Sequence, residues 1–312
     1  MTEFDVICLG YSATDYLGIV PHYPEVDTKM ELLQFSKQGG GPAATASVTI
    51  ARLGARVAFV GKVGDDDFGQ FMIEELAKEG VDTNNIVIQP NAGSQFAFIV
   101  IERHTGKRTI FWSRSGVAPL QVEELDKDII TSCRVLLTDG HDTWASLQAA
   151  IWANEAGIPV VYDAGSVREA SIELAEHTDA LVASERFARE YTGQTDPAKA
   201  AQAMLSGRRK YSVVTLGENG CVYATQECVV HQPAFQVDVV DTTGAGDAFH
   251  GAFAYGILRG WSYREIVEFS SAVAALKCTK LGGRPGLPTL EGALSFLRER
   301  SDNPFWLEMA GK

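Results

Sequence analysis

The glycine-rich run at residues 241–253, which reads DTTGAGDAFHGAF, is the stretch of this sequence most suited to chemistry. The spacing of apolar residues from Asp247 onwards predicts a helix, with Gly244, Ala245 and Gly246 at its N-terminus. The first amides of a helix lack intrahelical partners, and the helix dipole adds about half a positive charge there. Glycines also let an anion approach those amides closely. The run therefore predicts an anion site with the carboxylate of Asp247 within reach.

An anion site beside a carboxylate suits phosphoryl transfer. The amides would neutralise charge on the migrating group, while the carboxylate would take the proton of the attacking hydroxyl. The alternative is that Asp247 only complements the helix dipole. No Gly-Lys-Ser/Thr follows the glycines, so the run is not a Walker loop. No Gly-x-Gly-x-x-Gly follows the first predicted strand either, which argues against a NAD-dependent oxidoreductase.

The elements that must position this run follow from alternating apolar patterns. Such a β–α–β–α rhythm favours an α/β fold with a mostly parallel central sheet and helices on both faces. The predicted strands are residues 4–9, 56–60, 134–138, 159–162, 180–183, 212–216 and 235–240, and the predicted helices are residues 42–53, 68–79 and 143–156.

Two segments break the rhythm, at residues 16–37 and 93–112. Each shows extended patterns without an intervening helix, and residues 104–107 are typical of a turn between two strands. This predicts a small antiparallel sheet that projects from the main domain. The pattern alone leaves open whether the sheet is a lid over a cleft or an ordinary edge hairpin.

Composition excludes several classes of function. The chain has 312 residues, of which 46% are hydrophobic, so a large core can form. Its net charge of −13 disfavours nucleic-acid binding, although local donors can still hold an anionic substrate. Its five cysteines form no C-x-x-C pair, and we found neither a signal-like N-terminus nor a run of about 18 apolar residues. We therefore expect a soluble cytoplasmic protein without a membrane partner.

Residues 241–253 resemble the C-terminal signature of the PfkB (ribokinase-like) carbohydrate kinases, which is long and specific. Residues 38–46 (QGGGPAATA) and 61–69 (GKVGDDDFG) are similar to the family's N-terminal signature, about 200 residues earlier. The resemblance covers roughly residues 4–298. It implies a ribokinase-like three-layer α/β sandwich, formed by residues 1–312 as one domain, with a β lid from the two segments at 16–37 and 93–112.

The resemblance also implies roles on the phosphate side. Asp247 would be the general base, and residues 244–246 would form the anion hole for the γ-phosphoryl of ATP. Mg²⁺ would bridge the phosphates. Asp241 and Thr243 would hold a monovalent cation such as K⁺, unless Asp241 is an ordinary turn-capping residue. The residues expected along the nucleotide are Thr215, Gly217, Gly220, Ala275, Cys278 and Gly283.

On the acceptor side, Asp15 matches the family's substrate-hydroxyl aspartate, since a carboxylate accepts several hydrogen bonds at once. The alternative is an Asx turn. Three consecutive glycines would let the backbone approach the sugar: Gly39, Gly40 and Gly41. The run at residues 65–67 is more typical of helix capping than of catalysis.

The chain departs from the family pattern at two places. Ala44 stands where relatives carry a sugar-contacting Asn, and residues 184–187 (SERF) stand where many carry Asn-x-x-Glu. The acceptor and the way in which Mg²⁺ is held therefore stay open. Glu185 is a carboxylate nearby.

Three segments, at residues 39–46, 231–252 and 273–279, resemble the sulfofructose kinase branch, whose members phosphorylate 6-deoxy-6-sulfofructose at its primary hydroxyl. A sulfonate needs cationic or several N–H donors. The candidates are Lys29, Arg108 and Arg114 on the lid and His141 after the strand at 134–138. Surface cations usually only solvate a face, and no arginine directly follows that strand.

The sequence thus predicts an ATP-dependent sugar kinase that acts on a primary hydroxyl. The alternatives are another kinase of this family, namely a fructokinase, ribokinase, ketodeoxygluconate kinase or nucleoside kinase, or a catalytically silent sugar-binding regulator. The intact Gly-Ala-Gly-Asp argues against a silent protein, whereas four lid aromatics keep a nucleoside acceptor open: Phe96, Phe98, Phe111 and Trp112. An exposed lid edge would favour a homodimer.

Overall fold

The computed structural model describes residues 2–105 and 108–309. The strands within these residues are β1 (Val6–Leu9), β2 (Ala13–Val20), β3 (Gln34–Gly40), β4 (Val57–Gly64), β5 (Ile86–Gln89), β6 (Phe96–Glu102), β7 (Arg108–Ser113), β8 (Val135–Thr138), β9 (Val160–Ala164), β10 (Ala180–Ser184), β11 (Tyr211–Thr215), β12 (Cys221–Ala224) and β13 (Val229–Gln232). The helices are α1 (Pro42–Arg52), α2 (Asp67–Lys78), α3 (Lys127–Ile130), α4 (Thr143–Glu155), α5 (Ser171–Glu176), α6 (Glu185–Thr192), α7 (Pro197–Met204), α8 (Ala245–Arg259), α9 (Tyr263–Lys277), α10 (Leu290–Arg300) and α11 (Pro304–Glu308).

A nine-stranded sheet forms the centre, in the order β13-β12-β11-β10-β9-β8-β1-β4-β5. All neighbouring pairs from β11 to β5 are parallel, and β12 and β13 add an antiparallel edge. One apolar cluster packs α1, α8, α9 and α10 on one face, and a second packs α4 to α7 on the other. This ribokinase-like three-layer arrangement confirms the predicted fold class.

Two local predictions differ from the structure. Residues 235–240 form no strand, and Val239 and Val240 are largely exposed. The segment connects the edge strand β13 to α8, and the amide of Val240 donates to the carbonyl of Cys278, just after α9, at 2.8 Å. The hairpin of β12 and β13 was not predicted.

The smaller sheet has the order β3-β2-β6-β7 and matches the predicted lid segments. Its outer pairs are antiparallel hairpins, but β2 and β6 are parallel, so the all-antiparallel prediction was wrong for the central pair. The chain returns through α1, β4, α2 and β5 before β6 begins, and this crossover reverses the direction a hairpin would give. Residues 106 and 107 of the predicted turn lie outside the described residues.

The strand order of the central sheet runs in opposite directions on the two sides of β1, which pairs with β4 on one side and with β8 on the other. Chains that leave β1 and β8 diverge here, and such a switch point opens a crevice at the carboxyl ends of the strands. Asp139 organises it: its carboxylate accepts hydrogen bonds from the amides of Tyr11 at 2.8 Å, Ala43 at 3.1 Å and His141 at 2.9 Å. The ends of β1 and β8 and the start of α1 are thereby tied together.

No helix within residues 2–105 and 108–309 combines the length and apolar character that a membrane crossing requires.

Candidate active site

The start of α8 has the geometry that the glycine-rich run predicts. Gly244 precedes the helix with φ 75°, and the helical ladder begins where the amide of Ala248 donates to the Gly244 carbonyl at 2.9 Å. A Cβ on Gly244 would stand 3.0 Å from the Gly283 backbone, so the position needs glycine for space as well as for φ. The amides of Gly246 and Asp247 precede the ladder and carry the positive end of the helix dipole. This is a site able to hold an anion.

Asp247 lies in the first turn of α8 and is partly exposed. Burial raises the pKa of its carboxyl to about 7, with Asp163 and Asp139 raising it further and His250 and Lys277 lowering it. Near neutral pH the carboxylate is therefore a stronger base than an ordinary aspartate. That suits a group which takes a proton from a hydroxyl.

Asp163 and His250 form a buried pair behind this turn that the sequence reading missed. Asp163 is the penultimate residue of β9, and its Oδ2 lies 3.3 Å from Nδ1 of His250. The same Nδ1 is 2.5 Å from the carbonyl of Gly246, and Nε2 is 3.1 Å from the carbonyl of Val182. Two carbonyls and the Asp163 carboxyl thus surround the ring, and burial lowers the pKa of His250 and raises the pKa of Asp163. The pair fixes the Gly246 peptide. The sequence signal that could have indicated this pair was a histidine one helical turn after Gly246.

The turn before α8 is held by protein donors. Asp241 is buried, and its Oδ1 accepts from the amide and hydroxyl of Thr243 at 2.9 and 2.8 Å. Its Oδ2 accepts from the amide of Gly282 at 2.8 Å, and its carbonyl accepts from Nζ of Lys277 at 2.7 Å. These hydrogen bonds are those expected if Asp241 is an ordinary turn-capping residue. Three protein donors therefore bind the carboxylate of Asp241, and a fourth binds its carbonyl.

The residues expected along the nucleotide follow the carboxyl edge of the sheet and the end of α9. Thr215 ends β11, where its hydroxyl donates to the Ala183 carbonyl at 3.2 Å. Gly217 and Gly220 shape the next turn with φ 59° and 83°. Ala275 and Cys278 are buried, whereas Gly283 lies against the turn at Gly244.

Asp15 lies in β2 opposite Gln38 of β3 and is 8% exposed. Burial raises the pKa of its carboxyl to about 7, Arg284 lowers it, and Asp247 raises it. Asp15 and Asp247 both raise the pKa of the buried Arg284, so the predicted acceptor aspartate and the predicted base lie around the same guanidinium. The structure brings them together from opposite ends of the chain.

The glycines of β3 have a reason that the sequence reading did not supply. A Cβ on Gly40 would overlap the carboxylate of Asp15, and a Cβ on Gly39 would overlap the guanidinium of Arg284. Gly41 has φ 92°, and its Cβ would stand 2.5 Å from the carbonyl of Tyr11. Charged groups of the protein itself therefore fill the space beside these glycines.

Arg284 is a second residue that the sequence reading missed. It is 5% exposed, and Nη2 donates to the Gly40 carbonyl at 3.2 Å. Its Nε and Nη1 have no hydrogen-bond partner among the described residues. The buried guanidinium balances the charge of Asp15 from behind the glycines. An arginine directly after Gly282-Gly283 was the only available signal.

Two of the cationic candidates meet near the switch point. Arg114 pairs with Asp142 at 3.1 Å and lies over the Tyr11 ring, with 5.5 Å between Cζ and the ring centroid. Tyr11 stacks on His141 at 4.7 Å, and Nε2 of His141 is 3.4 Å from Nη2 of Arg168. Burial lowers the pKa of His141. We call Tyr11, Arg114, His141 and Arg168 the cationic cluster; Arg168 was not predicted.

The other two candidates lie elsewhere. Arg108 begins β7 and donates to the hydroxyl of Thr242 at 2.6 Å, which places it on the phosphate side and ties the lid to the turn before α8. Lys29 is exposed on the connection between β2 and β3. Neither is joined to the cationic cluster by a contact recorded for the described residues.

The acidic run at residues 65–67 and the two places where the chain departs from the family pattern have structural explanations. Asp66 caps α2 by accepting from the Gly69 amide at 2.9 Å, which confirms the capping interpretation of residues 65–67. Ala44 is buried within α1. Ser184 caps α6, and Glu185 is exposed beside it.

Comparison with known proteins agrees with this geometry. A family model described as "pfkB family carbohydrate kinase" matches residues 3–290. A probable fructokinase-3 of Arabidopsis thaliana is 35% identical over 295 aligned residues, which cover 85% of this chain and 84% of the relative. A 5-dehydro-2-deoxygluconokinase of Clostridium perfringens is 29% identical and covers 96% and 94%. The crystal structure of a putative ribokinase from Agrobacterium tumefaciens has a TM-score of 0.88 at 29% identity and covers 98% and 99%.

Proposed function

The chain belongs to the pfkB family of carbohydrate kinases, which phosphorylate an alcohol group, and on this premise we propose that it transfers the γ-phosphoryl of ATP to a primary hydroxyl of a sugar or sugar derivative. The observation that carries the proposal is Asp247, with its pKa raised to about 7, in the first turn of α8 beside free amides. We take residues 1–312 to act as one kinase unit.

Asp247 takes the proton of the acceptor hydroxyl as that oxygen attacks the γ-phosphorus. The amides of Gly246 and Asp247 face the equatorial oxygens of the transferred group and stabilise the charge that develops there. The pair of Asp163 and His250 keeps this first turn in place by holding the Gly246 carbonyl. These groups are preorganised, so little reorganisation is needed during the reaction.

Magnesium, when bound with ATP, would neutralise part of the charge on the phosphates. The described residues contain no cluster of three or more acidic, histidine or cysteine ligands. Magnesium commonly keeps several waters and takes one or two carboxylates besides the phosphates. The exposed Glu185, at the end of β10, is available to that water shell.

Asp15 would bind acceptor hydroxyls with its two oxygens, at the mouth of the lid. The hydrogen bond from Arg108 to Thr242 and the packing of the inner lid face on Leu281 support lid closure over the bound acceptor. A closed lid excludes water and so limits hydrolysis of ATP.

For the acceptor itself, we propose a ketohexose or a derivative of it, with 6-deoxy-6-sulfofructose as the candidate that would use the cationic cluster. The guanidinium groups of Arg114 and Arg168 in the cationic cluster, with the ring of His141 beside Arg168, support an anionic group at the far end of the sugar. Fructose is the second candidate, because the fructokinase relative is 35% identical.

The first test is ADP formation with Mg²⁺ and ATP across fructose, ribose, 2-keto-3-deoxygluconate, fructose 6-phosphate, sulfofructose and adenosine. Selective turnover of sulfofructose would support the anionic acceptor, and Arg114→Gln should then lower its kcat/KM while leaving turnover of fructose unchanged. Turnover of a neutral sugar alone would retain the mechanism and overturn the anionic acceptor. No turnover on any acceptor would favour the silent regulator.

We also propose a homodimer through the lid. Its outer face exposes Phe35, Phe98 and Phe111, and Phe98 lies directly opposite Phe111 on the neighbouring strand. Sedimentation should show a dimer that Phe111→Lys dissociates, whereas Leu307→Lys, at an exposed leucine of α11, should leave it intact. A monomer at every protein concentration would contradict this proposal. A cytoplasmic location stays a prediction.

A further inference from the structure

A buried ammonium group lies directly beneath the turn that leads into the anion site. Lys277 is in the last turn of α9 and has no exposed surface. Its Nζ donates to the main-chain carbonyl of Asp241 at 2.7 Å. Burial lowers the pKa of this lysine, as does Arg108, while Asp241, Cys278 and Asp247 raise it. The ammonium is therefore placed among negative groups on the phosphate side.

Burying the charge of a lysine this deeply costs free energy unless the ammonium is hydrogen-bonded or paired with an opposite charge. The hydrogen-bond pattern around it shows what it holds. Lys277 binds the carbonyl of Asp241, while the carboxylate of Asp241 binds the amide of Gly282. Gly283, the next residue, touches Gly244 at the start of α8. One chain of contacts thus connects the ammonium to the glycine that opens the anion site.

The family resemblance assigns a monovalent cation to Asp241 and Thr243, but the oxygens of Asp241 are occupied by protein donors. A potassium ion bound to Asp241 would also meet repulsion at close range from the ammonium of Lys277, which lies 2.7 Å from the Asp241 carbonyl. Lys277 already performs the two tasks such an ion would have. It orients the carbonyl of Asp241, and it adds a positive charge below the α8 N-terminus.

We propose that Lys277 is a built-in replacement for the monovalent cation, so that this kinase holds its anion site without bound potassium. Lys277 is a positioning residue in this scheme, because it acts through the turn at residues 241–244 and touches neither substrate. The arm of the test that uses turnover rests on the proposed function, and a stability arm is independent of it.

The test compares K⁺ with choline at equal ionic strength. The wild-type protein should show the same melting temperature and, with its acceptor, the same kcat in both. Lys277→Met keeps the volume but removes the charge, and its kcat in choline should fall by about tenfold or more, as when one preorganised charge-stabilising group is lost. K⁺ should partly restore that kcat and raise the melting temperature of the variant, whereas choline should not.

Lys62→Met is the matched control, because Lys62 is also buried and is paired with Glu124 at 2.6 Å. It should lose stability without gaining a response to K⁺. Lys277→Arg retains the charge and should stay indifferent to K⁺ if it folds.

A K⁺-specific rise in the melting temperature or kcat of the wild-type protein would overturn the inference, even if no Lys277 variant folds. A folded Lys277→Met that ignores K⁺ would also overturn it. If no acceptor is turned over but the melting temperatures behave as expected, the proposed function fails while the built-in cation stands.

Discussion

The phosphate side and the acceptor side of this site are built in opposite ways. On the phosphate side, residues 241–247 form one short run, and the start of α8 sets their geometry locally. On the acceptor side, Asp15, the glycines of β3, His141 and Arg284 come from four separate parts of the chain. A helix terminus aims its own amides, whereas the acceptor side exists only when the lid, the switch point and the loop after α9 meet. The acceptor side therefore depends on the meeting of more separate elements than the phosphate side does.

The two aspartates at the centre show the same contrast. Both have a pKa of about 7 that burial raises. Around Asp247 the largest charge effect comes from another acid, Asp163, whereas around Asp15 it comes from a base, Arg284. Substitutions on the two sides should therefore move the pH profile in opposite directions.

The largest effect is expected at the centre of the phosphate side. Asp247→Asn should lower kcat at least about a hundredfold with little change in ATP affinity, because it removes the proton acceptor and keeps the amides. Steady-state kinetics and calorimetric ATP binding measure the two quantities. Asp67→Asn, at a first-turn acid of α2 outside the site, is the matched control and should keep normal turnover. Near-normal turnover of Asp247→Asn would mean that the carboxylate only complements the helix dipole.

On the acceptor side, Gly40→Ala should raise KM for the acceptor or lower kcat/KM by about tenfold or more, because the new Cβ displaces the carboxylate of Asp15. ATP affinity should stay unchanged. Gly292→Ala, where a Cβ meets only ordinary contacts, should match the wild type in both. An unchanged kcat/KM for Gly40→Ala would show that Asp15 does not bind the acceptor.

A smaller effect is expected when the charge behind the glycines is removed. Arg284 lowers the pKa of Asp15, so Arg284→Gln should raise that pKa above about 7. Less Asp15 is then ionised at neutral pH, and the acidic limb of kcat/KM for the acceptor should move to higher pH. The pH profile measures this shift, and Arg284→Lys should largely retain the wild-type limb. A loss of activity that is equal at all pH values would point to a packing role only.

The smallest effect is expected from Asp163→Asn. It removes the neighbouring charge that raises the pKa of Asp247 most, so that pKa should fall by about one unit or less. The acidic limb of kcat should then move to lower pH, opposite to Arg284→Gln. Asp179→Asn, at a buried acid beyond the site that pairs with Arg208, should change stability without moving the limb. A shift in the same direction for both site variants would contradict the contrast between the two sides.

Much of the fold was open to prediction because its signals are local. The strand and helix alternation, the end of α1 before Gly54 and the start of α8 follow from periodicity and from residues that end helices. The parallel pairing of β2 and β6 could not be predicted in this way, since it depends on the path of the chain between the two strands. Residues 235–240 were misjudged because periodicity does not reveal where the backbone hydrogen bonds go, and the amide of Val240 donates to Cys278, just after α9.

What the sequence alone determined is the chemistry of one end of α8: an anion site with a carboxylate, because seven consecutive residues and the electrostatics of a helix terminus suffice. Only the tertiary structure decided which charges surround it. Lys277 lies beneath the turn, Arg284 behind the glycines and Asp163 beside the base, each brought from a distant element. Coulombic effects depend on distance through space, and separation along the chain does not reveal that distance.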